Sequence, residues 1–352
     1  MIVVMKKGSA QEEVDAILKR IESAGLEGRL STGVERTVIG IVGVVGGATD
    51  LQGTLELMPG VDEVVPISKP YKLSSREFQP NNTVVKVGQV SIGGKNLVVM
   101  AGPCAVETRE QVLETAKVVK EAGATILRGG AFKPSTSPYA FRGLGEEGLK
   151  ILHEAKEVTG LPLITEVLTP WDVELVVKYS DCLQVGARNM QNFILLDEVG
   201  KAGMPAMLKR GMSATLQEWL LAAEYILSQG NRQVILCERG VRTFETYTRN
   251  TLDISAVPSV KRLSHLPIIV DPSHGTGKWH LVTPLALAGV AAGADGLMVE
   301  VHPSPDTALK DGAQSLTFDN FVELMRQLSP VATAVNRVLG PEPARAGRAN
   351  RR

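Results

Sequence analysis

The sequence predicts an α/β protein, a (β/α)8 barrel preceded by a small ferredoxin-like α+β domain. From residue 97 onward, apolar strand-like runs alternate with amphipathic segments, and strands alternating with helices imply a parallel sheet. Before residue 69 the patterns follow a β-α-β-β-α-β order, which is the ferredoxin-like arrangement. Eight βα units over roughly 240 residues suit a closed barrel. A doubly wound open sheet competes, but no dinucleotide-binding loop follows the first strand.

The elements follow in order. "MIVVM" reads as a strand, and "SAQEEVDAILKRIESAG" places Val14, Ile17, Leu18 and Ile21 on one helical face. "RTVIGIVGVVG" is strand-like, "DLQGTLELMPG" a short helix and "VDEVVPI" another strand. The glycines of "GIVGVVGG" do not match the dinucleotide fingerprint. Residues 1–68 therefore form one domain, and the polar, Pro-bounded "KPYKLSSREFQPNN", 69–82, reads as a linker. "GGKN" at 93–96 lacks the upstream spacing and the Ser/Thr of a phosphate loop. It reads as a hairpin turn between "TVVKVGQVSI" and "NLVVMAG".

The barrel, with that N-terminal hairpin, is expected over 83–339. Its strands are "LVVMAG", "ATILRGG", "PLITEV", "CLQVGA", "PAMLKRG", "VILCERG", "PIIVDPS" and "GLMVEV". Thr108 with Gln111 and Thr215 with Glu218 have the spacing of a capping box. Thr169-Pro170 sets a cap before a proline at the first helical position. The Gly/Ala/Arg/Pro-rich tail, 340–352, predicts disorder.

Composition narrows the function. Lys plus Arg equals Asp plus Glu, 38 each, so no net field recruits nucleic acid or a membrane surface. Three scattered cysteines without CxxC spacing suggest a reducing compartment. The N-terminal apolar run is too short for a signal peptide, and no run reaches transmembrane length. The expectation is a cytoplasmic protein.

The chemistry of a (β/α)8 barrel sits at the C-terminal ends of its strands. Those ends carry Arg128, Lys133, Arg188, Lys209 and Arg239. Each cation has a plain reading as the partner of a local carboxylate such as Glu166, Glu238 or Asp271. Together, five cations at one mouth point to an anionic ligand with several phosphate or carboxylate groups. A second group, Cys104, His274, Glu300 and Asp311, offers thiolate, imidazole and carboxylates to a divalent metal. Cys104 alone reads more readily as packing, His274 reads equally as a catalytic acid/base or a core histidine, and His302 and Asp271 are alternative ligands nearby. Cations beside a metal suggest metal-assisted chemistry on phosphorylated small molecules.

"AGPCAVE", "LRGGAFKPSTSPYAFRGLG", "QVGARNMQNF", "LKRGMSATLQEWL", "ILCERGVRTFE", "DPSHGTG" and "GADGLMVEVHP" run in order across residues 101–303. Together they resemble the 3-deoxy-D-arabino-heptulosonate 7-phosphate (DAHP) synthases, in particular the subgroup with an N-terminal ferredoxin-like regulatory domain. The resemblance covers nearly the whole chain except the tail. It implies condensation of phosphoenolpyruvate with erythrose 4-phosphate, the first step of the shikimate pathway.

It also implies that Cys104, His274, Glu300 and Asp311 hold a divalent metal (Mn, Fe, Co or Zn). Arg128, Lys133, Arg188, Lys209 and Arg239, with the backbone around Gly186 and Ala187, would hold phosphoenolpyruvate. Lys133, or a water held by Glu166, is a candidate for proton transfer. The family usually reads Lys-Pro-Arg-Thr-Ser-Pro where this chain has "KPSTSP". Thr136 keeps its place in the acceptor-phosphate grip, while Ser135 replaces the arginine. Arg142 is expected to restore the missing cation from the far end of the loop.

Alternative readings are 3-deoxy-D-manno-octulosonate 8-phosphate synthase or another acceptor sugar, a Schiff-base aldolase using Lys209, and a non-catalytic amino-acid sensor. For the N-terminal domain the resemblance suggests tyrosine or phenylalanine as effector, with packing or oligomerisation as the plainer role. It also suggests a homo-oligomer, a tetramer.

Overall fold

The structure is a computed structural model, and it describes residues 1–32, 37–42, 48–65, 70–134 and 139–340. It divides into two compact units, Met1–Pro70 and Tyr71–Arg352.

The first unit is a four-stranded antiparallel sheet with two helices. Its elements are β1 (Ile2–Met5), α1 (Gln11–Ser23), β2 (Glu27–Thr32), β3 (Thr37–Val42), α2 (Ala48–Glu56) and β4 (Val61–Val65). The strand order β2-β3-β1-β4 is ferredoxin-like. The face predicted for α1 is the buried one: Val14, Ile17 and Ile21 pack with Val3, Met5, Ile39 and Leu55. The expected β-α-β-β-α-β order includes β2, but periodicity assigned no residues to it. Its residues, "EGRLST", lack an apolar alternation, and the register with β3 supplies the strand instead.

Much of the segment read as a linker packs on the barrel. Tyr71 lies in the barrel's outer core, the amides of Leu73 and Ser74 donate to the Glu224 carboxylate, and Ser264 Oγ donates to Ser74 O. "TVVKVGQVSI" is also not one strand. It folds back as β5 (Val85–Val87) and β6 (Val90–Ile92), an antiparallel hairpin, and "GGK" then leads into the barrel.

The barrel strands are β7 (Asn96–Gly102), β8 (Ile126–Arg128), β9 (Leu163–Val167), β10 (Cys182–Val185), β11 (Ala206–Lys209), β12 (Val234–Glu238), β13 (Ile268–Val270) and β14 (Gly296–Glu300). All are parallel, and β14 pairs back onto β7, so the sheet closes. A short ninth strand, β15 (Val338–Leu339), adds to the start of β7. Thr215 and Glu218 form a full reciprocal capping box. Thr108 accepts from the Gln111 amide, but the Gln111 side chain accepts from Glu107 N rather than Thr108.

Strand alternation divides the core in two. Leu97, Val99, Leu127, Leu183, Leu208, Leu236 and Val270 pack against the helices. Val98, Met100, Ile126, Ile164, Cys182, Met207, Cys237, Ile269 and Met298 form a separate interior cluster, joined by Val85, Val87 and Ile92 of the hairpin. The hairpin therefore packs against the barrel interior, and Cys182 and Cys237 are interior filling.

Candidate active site

The alternation that builds the interior also delivers the functional side chains. Two residues along each strand direction from Ile126, Ile164, Met207, Cys237, Ile269 and Met298 stand Arg128, Glu166, Lys209, Arg239, Asp271 and Glu300. A period of two keeps them on the interior face, above the apolar layer and at the C-terminal end. All six are buried. A charged layer stacked on an apolar one costs free energy unless its members are paired or meet a ligand.

The pairing is partial. Lys209 Nζ lies 2.6 Å from Asp271 Oδ2, as the plain reading expected. Arg128 Nη1 lies 3.3 Å from Glu300 Oε1. Glu238, offered above as a partner for the mouth cations, is instead taken by Arg210 at 2.9 Å. Arg239 donates to the carbonyls of Gly240 and His274, and burial lowers its pKa. Lys133 Nζ donates to Cys104 O at 3.0 Å. Burial opposes the charge on Lys133, but Cys104 and Glu300 outweigh it, so its pKa is raised.

An open cavity at the barrel mouth gathers these groups. Lys133, Arg188, Lys209 and Arg239 line it, together with Glu166, Gly186, Ala187, His274 and Asp311. Arg249 and Lys310 also line it, and sequence reasoning missed both. Each lies in a loop beyond a barrel strand, so extending the strand-end search along those loops would have found them. Gly186 leaves room for Glu166: a Cβ at that position would sit 2.0 Å from Glu166 Oε1 and displace the carboxylate. Gln184 Nε2 donates to the other oxygen of Glu166 at 3.2 Å.

Arg142 is not brought to the cavity lining. It is exposed, and its carbonyl accepts from Lys133 N, so backbone ties residue 142 to residue 133. Ser135 and Thr136 lie outside the described residues, as does the tail beyond residue 340.

At the cavity wall, where Asp311 stands, one ligand atom each from Cys104, Glu300 and Asp311 lies within 4.8 Å of the others. Cys104 Sγ is 3.5 Å from Asp311 Oδ2, and His274 Nε2 is 3.4 Å from Glu300 Oε1. The helix Pro272–Thr276 presents His274, and Asp271 caps that helix by accepting from His274 N. His274 Nδ1 is bonded to Asp271 Oδ2 at 2.8 Å, which leaves Nε2 toward the cluster. A carboxylate behind the imidazole is the arrangement found behind metal-ligating histidines.

The donor set fits a divalent cation. Glu300 Oε1 is buried and accepts no hydrogen bond, an unmet need that a cation satisfies. Burial opposes ionisation of Glu300, but His274, Arg128 and Lys133 outweigh it and hold its pKa at about 2. Burial, aided by Glu300, pushes the Cys104 thiol well above its ordinary range, and a coordinating metal deprotonates such a thiol. His302 lies beside Glu107, Nε2 to Oε2 at 3.5 Å, and, like His274, is not among the three residues whose ligand atoms meet within 4.8 Å. Asp271 supports His274 from behind.

Comparison with known proteins agrees with the geometry. Residues 73–337 match the DAHP synthetase I family, and residues 1–69 match the DAHP synthase ferredoxin-like domain. The chain is 51% identical over 335 residues to phospho-2-dehydro-3-deoxyheptonate aldolase of Thermotoga maritima, covering 95% of this chain and 98% of that protein. The crystal structure of the Thermotoga maritima enzyme superposes with a TM-score of 0.92 at 50% identity, over 96% of this chain and 98% of that one. Similarity to 2-dehydro-3-deoxyphosphooctonate aldolase of Methylococcus capsulatus is more distant, 34% over 257 residues and 68% of this chain.

Proposed function

This chain belongs to the DAHP synthetase I family, and on that premise we propose that it condenses phosphoenolpyruvate with erythrose 4-phosphate to 3-deoxy-D-arabino-heptulosonate 7-phosphate and phosphate. The observation that carries the proposal is the side-by-side placement of the cation-lined cavity and the Cys104–Glu300–Asp311 cluster at one barrel mouth. Lys209, Arg239, Arg188 and Lys133, with Arg128 beneath, hold the carboxylate and phosphate of phosphoenolpyruvate, and the backbone at Gly186 and Ala187 assists. Buried, pre-oriented cations act on developing charge without reorganising.

Cys104, His274, Glu300 and Asp311 would hold a divalent metal (Mn, Fe, Co or Zn). A metal bound there supplies Lewis-acid polarisation of the aldehyde oxygen. C3 of phosphoenolpyruvate attacks the aldehyde carbon, water adds at C2, and phosphate then leaves. Glu166 orients that water, and Lys133, kept protonated by its surroundings, gives a proton to the forming hydroxyl.

The N-terminal unit matches the DAHP synthase ferredoxin-like domain; a regulatory role is proposed for it, with tyrosine or phenylalanine as effector. A homotetramer in the cytoplasm completes the reading. No described helix is long and apolar enough to cross a membrane.

Loss of phosphoenolpyruvate absorbance tests the reaction, with erythrose 4-phosphate and arabinose 5-phosphate run in parallel. Turnover with the four-carbon sugar is expected. Turnover with arabinose 5-phosphate alone would reassign the acceptor.

A further inference from the structure

Each carboxylate of the proposed metal site has one oxygen tied down from outside. Gln314 is buried, and its Nε2 donates to Glu300 Oε2 at 2.7 Å. Its Oε1 accepts from Arg249 Nη1 at 2.9 Å. The same Arg249 nitrogen lies 3.5 Å from Asp311 Oδ1. The oxygens left over, Glu300 Oε1 and Asp311 Oδ2, are the ones that approach His274 Nε2 and Cys104 Sγ.

We propose that Arg249 and Gln314 are positioning residues that select which oxygen of Glu300 and of Asp311 faces the metal. This rests on the metal-site reading given above. A side-chain amide suits the middle place because it donates to an anion and accepts from a cation at once. Glutamate there would set a second negative charge against Glu300, and leucine would break both bonds.

Arg249 is itself anchored to the element that carries His274. Its amide donates to Thr276 O, and the next residue, Asn250, donates from its side chain to His274 O. The chain of contacts thus runs from the His274 helix through Arg249 to both carboxylates. Gln314 meets Glu300 at Oε2 and Arg249 meets Asp311 at Oδ1, so each acts through the carboxylates. Outer-shell partners of this kind, when removed, cost about 10- to 100-fold in metal affinity. Gln314 is the cleaner probe, because Arg249 also lines the cavity and Gln314 does not.

The test strips the full-length protein of metal and reloads it with Co2+. Affinity is read by competition with a metal-binding dye, alongside the thiolate-to-cobalt absorption band. Gln314→Leu and Arg249→Met should each weaken Co2+ binding by about 10- to 100-fold while the band still forms at saturation. Arg249→Lys should recover part of the loss, since it restores a cation beside Asp311. The double variant should be less than additive, because the two residues act in series. Gln314→Glu, which keeps size and packing, should also bind Co2+ more weakly and serves if the leucine variant does not fold. Wild-type Co2+ affinity in a folded Gln314 variant overturns the proposal. Loss of the metal-site reading has a different signature: the unaltered protein would show no band, or Cys104→Ser would leave it unchanged.

Discussion

Lys209 and His274 share a single oxygen atom: Asp271 Oδ2 lies 2.6 Å from Lys209 Nζ and 2.8 Å from His274 Nδ1. One side chain belongs to the proposed phosphoenolpyruvate site and the other to the proposed metal site. Burial alone would raise the Asp271 pKa, but His274 and Lys209 hold it well below the ordinary range. Asp271→Asn leaves the buried ammonium of Lys209 unpaired, and breaking a buried pair in this way costs about 3–5 kcal/mol. Urea unfolding should report a loss of that order. The variant should also weaken Mn2+ binding and raise the KM for phosphoenolpyruvate together. Lys209→Met should move the second quantity far more than the first.

Lys133 is buried against Cys104 O, and its raised pKa favours the ammonium form. It can therefore give a proton but is poorly placed to take one. Lys133→Met should lower kcat by about 10²–10⁴-fold, the usual worth of a positioned acid. Near-normal turnover would remove lysine from the proton-transfer role.

Residue 135 is serine, where the resemblance leads one to expect an arginine that grips the acceptor phosphate. Arg142 N-terminally adjoins Gly143 at the far end of the loop, and its carbonyl is bonded to Lys133 N. If its side chain swings to the acceptor phosphate when that sugar binds, Arg142→Ala loses a charged hydrogen bond worth roughly 1.5–3 kcal/mol. The KM for erythrose 4-phosphate should then rise by an order of magnitude or more, with that for phosphoenolpyruvate little changed. An unchanged KM for erythrose 4-phosphate would assign the acceptor to other residues, with Arg249 and Lys310 next in line.

The barrel was legible because a strand with both faces buried reads as a continuous apolar run, and each of the eight runs ends in a charged or glycine-bearing stretch. The charged layer was legible for the same reason, since Arg128, Lys209 and Glu300 simply continue the interior face of their strands. What sequence missed lacks that regularity. Strand β2 is polar and takes its pairing from β3. The outer shell of Arg249 and Gln314 sits in loops, where no periodicity links residues 65 positions apart. Partner choice was equally hidden: Glu238 adjoins Arg239 in sequence but pairs with Arg210, because neighbours along a strand point to opposite faces.

The segment 71–83 is fastened to the barrel partly through His265. Its Nδ1 lies 2.7 Å from Thr83 Oγ1 and its Nε2 lies 2.7 Å from Leu73 O. The carbonyl can only accept, so Nε2 carries the proton and Nδ1 accepts from the threonine. Burial lowers the His265 pKa, against a smaller opposing effect of the Leu73 carbonyl. The unfolded chain therefore binds a proton first, so this contribution to stability is complete above about pH 6.5 and is lost as pH falls through that value toward the folded pKa. His265→Gln should flatten the acid side of the Tm–pH curve. An equally steep fall in the variant would place the acid sensitivity elsewhere.

The proposed reaction needs one barrel mouth that joins the cation-lined cavity to a metal site and performs a metal-dependent condensation. The most direct test follows phosphoenolpyruvate absorbance with erythrose 4-phosphate before chelation, after chelation, and after restoring Mn2+ or Co2+. Turnover that chelation abolishes and either metal restores is the expected result. Undiminished turnover in fully chelated protein would contradict it.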